Sequence, residues 1–257
     1  MSSQPSPAAP YEFTLQQKLY VWLTGAFVAC LLVADVIGVR LFRIPFPFGL
    51  ELPLPWAGTP ITAVEHTCGM LTFPVTFLLT DLINEYYGKR GARRVTWIGL
   101  AMGAFTFLIL NLALVMPRLD APYNVDEPAF VAVFGSSRMM FVASLCAFVV
   151  GQLSDIAIFG FLKRLTRGRM IWLRATGSTV ISQAIDSFFV SWIAFSLGRH
   201  LVPDSGVPAP FIDVLKIAAT GYLLKFTLAV AITPLIYAGH GILHRWFGLV
   251  PVPADAR

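Results

Sequence analysis

Residues 73–100 read FPVTFLLTDLINEYYGKRGARRVTWIGL, and the order of chemistries along this stretch decides the fold. An apolar run from Phe73 closes on a polar face. Asp81, Asn84, Glu85 and Gly88 recur at i, i+3, i+4 and i+7, a spacing that puts them on one side of a helix. Four cations follow, Lys89, Arg90, Arg93 and Arg94, and a second apolar run opens at Val95. Two apolar runs joined by a basic link read as two membrane crossings meeting on the cytoplasmic side.

Composition extends that reading to the whole chain. Of 257 residues, 56% are hydrophobic and only 13% charged, with a mean hydropathy of +0.71. Soluble domains carry about 25% charged residues, so this chain has too little charge to make a polar surface. Its 21 Phe and 6 Trp fit lipid as the solvent. Net charge is +5, and its placement says more than its size. Cys30, Cys68 and Cys146 form no CxxC pair and read as small buried hydrophobes. MSSQPSPAAPYEF at the start has no basic region leading into an apolar core and reads as a polar tail.

Six apolar segments can be drawn: about Leu19–Val39, Ala63–Tyr86, Val95–Met116, Met139–Leu162, Thr176–Leu197 and Val214–Ala238. Each approaches the roughly 20 residues that cross ~30 Å of hydrocarbon. The prolines in the second and sixth, Pro74 and Pro234, are tolerated in membrane helices, often with a kink. The link after the fourth segment is basic, with Lys163, Arg164, Arg167, Arg169 and Arg174. The links after the third and fifth carry the acids Asp120, Asp126, Glu127 and Asp204. Basic links stay in the cytoplasm. The expectation is an all-α polytopic membrane protein of six spans with both termini cytoplasmic. A polar tail covers residues 1–18, the transmembrane domain 19–238 and a short cytoplasmic tail 239–257. The Pro-rich link RLFRIPFPFGLELPLPWAGTP is read as folded back on the outer surface, as a short hairpin, although Arg40 and Arg43 run weakly against the charge rule.

Ionisable groups at the bilayer centre cost about 2.5–3.5 kcal/mol on insertion scales and normally face a cavity or a partner. This chain keeps Asp81, Asp155, Asp186 and Lys225 well inside its segments. Gln152 stands three residues before Asp155, and Gln183 three before Asp186, a faint Q-x-x-D repeat. Bland readings stand beside these. Glu85 can pair with Lys89 at i+4, Asp35 with Arg40, and Lys225 with Asp155 or Asp186. His66, beside Glu65 near an outer helix end, reads as structural. Three deep aspartates against one deep lysine still leave negative charge that a ligand or a proton must answer.

The stretch from Phe73 to Leu100 resembles the queuosine precursor transporter family, also called the vitamin-uptake-like transporters. Phe73, Pro74, Thr76, Asp81, Asn84, Glu85, Tyr87, Gly88 and the basic run Lys89–Arg94 carry the likeness. STVISQAIDSFFV in the fifth segment, and Lys225 followed by Thr233 and Pro234 in the sixth, extend it over most of the chain. The resemblance implies uptake of 7-deazaguanine bases across a bacterial inner membrane: the cyano and aminomethyl queuosine precursors, with queuine as a further candidate. Such a base offers N1–H and a 2-amino group as a paired donor edge that a carboxylate accepts at two points. Its O6 accepts from an amide such as Asn84, Gln152 or Gln183, and its ring stacks on Phe188, Phe189 or Trp192. The candidate substrate residues are thus Asp81, Asn84, Glu85, Gln152, Asp155, Gln183, Asp186, Phe188 and Lys225. No metal, cofactor or nucleic acid is expected; the partners are the base and the bilayer, with a homodimer left open.

Three other readings compete with a carrier. A membrane-embedded binding subunit would need a separate ATPase, since the chain carries no Walker motif. An intramembrane enzyme has no HExxH, GxSxG or Gly-x-Gly-Asp to stand on. A channel would want a filter sequence, and none is recognisable.

Overall fold

The computed structural model describes residues 13–38, 40–51, 53, 60, 62–134, 138–166, 171–197 and 208–252. The polar tail before Phe13, and Arg167, Arg169 and Asp204 of the links, lie outside them.

Helix α1 spans Leu15–Ile37. Thr14 caps it: its hydroxyl accepts from the Gln17 N–H while the Gln17 side chain accepts from the Thr14 N–H, satisfying two otherwise orphaned donors. Strands β1 (Leu41–Pro45) and β2 (Ala63–Thr67) pair antiparallel, with Phe42 opposite His66 and Arg43 opposite Glu65. The Pro-rich link therefore contains the expected hairpin. It also corrects the second segment. Residues 63–67 are strand, Cys68–Thr72 is a 3-10 turn, and helix begins only at Phe73. Pro74 stands in the first helical turn, where its missing N–H costs nothing, so it marks a start and not a kink.

Helix α2 is assigned over Phe73–Val115, but Gly88 interrupts it at φ 65°, ψ −175°, a region that glycine enters freely and other residues hardly at all. The chain reverses there. Leu79, Ile83, Ala92 and Val95 share one buried cluster with Phe27 and Ile156. In a straight helix Leu79 and Val95 would stand about 24 Å apart. The residues on either side of Gly88 meet instead, as in an antiparallel helical hairpin pivoting on that residue. The four cations after Gly88 accordingly lie in the first turns of the second arm and not in a loop.

A short helix α3 (Glu127–Phe134) interrupts the acidic link. Helix α4 spans Arg138–Leu165, and α5 spans Ile171–Trp192 before widening into a π turn at Ile193–Leu197. Helix α6 spans Phe211–Phe247, reaching well past Ala238, with Pro234 inside it. Gly248 ends it in the left-handed conformation, the usual C-terminal stop. Packing runs α1 on α2, α2 on α4 and α6, α4 on α5, and α5 on α6, with β2 lying against α6.

Four helical stretches among the described residues are long and apolar enough to cross a membrane: Leu15–Ile37, Cys68–Val115, Leu145–Leu165 and Phe211–Phe247. The surface agrees. Trp22 is 78% exposed and Leu108 64%, alongside Phe105, Leu112, Val230 and Leu235, while Asp81 is 1% exposed. A protein that turns leucine outward and hides aspartate is solvated by lipid. The fold is an all-α membrane bundle.

Candidate functional site

The buried polar side chains fall in levels along the bundle. The first is an ion pair. Lys225 on α6 donates to the Asp186 carboxylate on α5, and the Lys225 ammonium stands 5.9 Å from the centroid of the Phe73 ring. Both charges are taken from water, so each needs the other, and the ring face adds a further attraction for the cation. Asp186 can sit deep between helices because α4 presents Gly151 to it: a Cβ there would lie 3.0 Å from Asp186 Oδ1.

One turn further along both helices, Ser182 donates from its hydroxyl to Asp155 Oδ1 at 3.1 Å. Gly151 to Asp155 and Asp186 to Ser182 are each four residues, so this second level lies ~6 Å below the first. The third level belongs to the quoted stretch. Glu85 pairs with Lys163 of α4 at 3.3 Å. Lys163 lies twelve residues past Gly151, so the two ion pairs are separated by roughly 18 Å along α4. Asp81 and Asn84 stand on the first arm of α2, within one turn of Glu85 towards the start of the helix. Asn84 is 3% exposed, and neither its amide nitrogen nor its carbonyl oxygen has a hydrogen-bond partner among the described residues. The Ser187 hydroxyl shares that condition.

Below Glu85 the bundle is closed by packing. The Tyr86 hydroxyl meets His240 Nδ1 at 3.0 Å. Leu82, Tyr86, Leu243 and Leu249 form one buried cluster. The Glu85 carbonyl, orphaned by the break at Gly88, accepts from the Val252 N–H at 2.9 Å.

Of the residues expected at the site, Asp81, Asn84 and Glu85 share the first arm of α2, while Asp155, Asp186 and Lys225 form the first two levels. Gln183 is half-buried on α5. Gln152 belongs to α4, but its side chain lies outside the described residues. Phe188 is 38% exposed and meets Phe211 edge-on, centroids 6.4 Å apart, two residues round α5 from Asp186. The i+4 pairing of Glu85 with Lys89 does not form. The turn at Gly88 carries Lys89 off the Glu85 face, and Lys163 takes its place. Of the two partners weighed for Lys225, it is Asp186 that holds it. Sequence reasoning passed over Phe73 as a cation partner, Ser182, and Lys163, which it had assigned to a link. The signal for Lys163 was available: α4 stays helical to Leu165, so Lys163 keeps helical register with Asp155.

Outward leucines around an inward ladder of acids, amides and lysines define a polytopic membrane protein with a polar interior. Residues 67–239 match the family described as "Putative vitamin uptake transporter", and the chain belongs to that family. It is 32% identical over 175 residues to the "Probable queuosine precursor transporter" of Bacillus subtilis, covering 67% of this chain and 70% of that one. It is 28% identical over 186 residues to the "Probable queuosine precursor transporter" of Haemophilus influenzae, covering 71% and 73%. A third relative, the "Queuosine precursor transporter" of Escherichia coli, is 28% identical over 140 residues, 52% of this chain and 58% of its own. The family and these relatives are transporters, and the chain is grouped with them and not with enzymes. No solved structure matches the chain.

Proposed function

We propose that this protein carries queuosine precursors, the 7-cyano and 7-aminomethyl 7-deazaguanine bases and queuine, inward across the inner membrane of a bacterium. The names of the three relatives support that substrate class. The observation that carries the reading is the unpartnered Asn84 amide beside Asp81, between the two ion pairs. A buried amide without partners costs about 1–3 kcal/mol, which a ligand offering both a donor and an acceptor repays. Carboxylates on these helices are acceptors that suit a donor edge such as N1–H with the 2-amino group, or the cation of an aminomethyl substituent.

Six crossings accommodate the architecture: α1, the two arms of α2, α4, α5 and α6. The first arm with its 3-10 turn spans about 30 Å at helical rise, enough for the hydrocarbon. The basic turns after Gly88 and the end of α4 then face the cytoplasm, as do both termini.

The test is uptake of both radiolabelled bases by the purified chain in proteoliposomes. Saturable uptake, competed by guanine-type and not by adenine-type bases, is expected without ATP or a second protein. Uptake only after adding a separate ATPase would give the reaction to a two-component system. Equal competition by adenine would remove edge recognition. Cysteines introduced at Arg93 and Asp126 check the topology: labelling of position 93 from outside would invert it.

A further inference from the structure

From sequence His66 is expected to be a structural residue near a helix end. The fold moves it. It stands on β2, and the hairpin lays that strand on α6. The Thr67 N–H donates to His66 Nδ1 at 2.8 Å. A ring nitrogen that accepts from a backbone amide carries no proton, so in the neutral ring the proton is on Nε2 and that nitrogen is a donor. The edge bearing Nε2 is pressed against Gly221: a Cβ at that position would lie 2.7 Å from Nε2 and 2.9 Å from Cδ2. Gly221 and Lys225 are four apart on α6, so the ring sits one turn, ~6 Å, outward of the Lys225–Asp186 pair on the same helix face. Lys225 and Asp186 are the two charges it feels most. Burial, reinforced by the Lys225 ammonium, holds the imidazole down to about 4, against the opposing pull of the Thr67 bond and of Asp186. The donor is therefore neutral across physiological pH, and among the described residues its Nε2–H has no hydrogen-bond partner.

We infer that His66 is a substrate-binding residue of an outer subsite, roughly 20 Å along the bundle from the Asn84 level: the hairpin carries it over the Asp186–Lys225 pair, where its Nε2–H donates to the exocyclic carbonyl of a base that has not yet reached Asn84. The inference rests on the guanine-type substrate proposed above and assigns that base a donor which neither of its neighbours supplies. Asp186 is an acceptor, and Lys225 is committed to it. A fixed, uncharged donor recognises a carbonyl without drawing in an anion, whereas Lys225 alone would not discriminate. Gly221 is part of the same device, because only a residue without Cβ lets the ring lie this close to α6.

The experiment compares two ligands on four proteins: guanine and 6-thioguanine, which keeps N1–H and the 2-amino group but offers sulfur, a weak acceptor, in place of the carbonyl oxygen. Binding to purified full-length protein in nanodiscs is measured for wild type, His66→Phe, His66→Gln and Gly221→Ala, with the melting temperature of each ligand-free protein. Wild type should prefer the oxo base by roughly five- to tenfold, the worth of one hydrogen bond in a dry site. His66→Phe should lose that preference by weakening the oxo base alone. His66→Gln, which places a donor near the Nε2 position, should restore part of it. Gly221→Ala, which pushes the ring away, should behave like His66→Phe. Equal weakening of both bases with the preference intact would make His66 a mere anchor of the hairpin and overturn the inference, as would an unchanged His66→Phe. Wild type that binds neither base overturns the substrate reading, and this inference with it.

Discussion

Replacing Asp186 with Asn separates what the outer ion pair does for the fold from what it does for the ligand. The side chains of Lys225 and Asp186 are 11% and 15% exposed, so the amide leaves an ammonium group with little water and no counter-charge. Removing one member of a buried pair costs about 3–5 kcal/mol. At about 2–4 °C per kcal/mol for a chain of this size, the melting temperature should fall by roughly 6–20 °C. Lys225→Met should cost a comparable amount, since it strands the carboxylate beside Gly151. The double variant, Asp186→Asn with Lys225→Met, removes both charges together and should recover most of the loss, because two matched neutral side chains need no counter-ion. Thermal unfolding in nanodiscs gives the four corners of the cycle. Binding measured on the same four proteins then divides the roles. If Asp186 also accepts from the base, the double variant regains stability but stays ten- to a hundredfold weaker for ligand, about 1.5–3 kcal/mol for a charged hydrogen bond. A double variant as unstable as the sum of its singles would show that the two groups are not coupled, and the ladder of levels described above would lose its first rung.

Gly88→Ala should destabilise the protein by about 1–3 kcal/mol, seen as a lower melting temperature. The cause is conformational and not steric, since a Cβ there would meet only Val252 Cγ1 at 3.6 Å; wild-type stability would mean that residues 79–95 do not reverse at this residue. The hairpin should loosen in acid. His66 ordinarily titrates near 6.5 and is held to about 4 in the fold, so the docked state gains from its neutral ring above 6.5 and loses that gain as pH falls towards 4. In a variant whose sole thiol is Cys68, the labelling rate relative to the same variant with His66→Gln should rise between pH 7 and pH 5; a constant ratio refutes the coupling.

Much of this fold could be read from hydropathy because lipid imposes a simple rule: each apolar run of about twenty residues is a helix. The rule fails where one residue does the work of a loop. Around Gly88 the sequence remains helix-forming on both sides, so the basic stretch looked like a link with Glu85 and Lys89 one turn apart. A single left-handed glycine places them on different helices. Charge partners were legible only as a set. The sequence contained the carboxylates and lysines, and periodicity put them on helix faces, but which carboxylate meets Lys225 depends on how α5 and α6 rotate against each other. The role of His66 was hidden for the opposite reason. Strand pairing with residues 41–45 delivers it to α6 from far along the chain, and no local pattern around EHT encodes that delivery. Phe188 was chosen as a stacking platform from type alone, and the helix turns it towards Phe211.

The hydrogen bond from Val252 to the Glu85 carbonyl ties the far end of the chain to the pivot of α2. A carrier that alternates between faces must tilt some helices against others, and the first arm of α2, holding Asp81, Asn84 and Glu85, cannot swing about Gly88 without dragging residues 249–252 along or letting go of them. Those residues thus tie the first arm of α2 to the stretch that follows α6. For the engineer, shortening the chain before Leu249 would bare the Glu85 carbonyl beside the break at Gly88 and free the pivot at once, whereas a fusion added beyond Val252 leaves that bond in place.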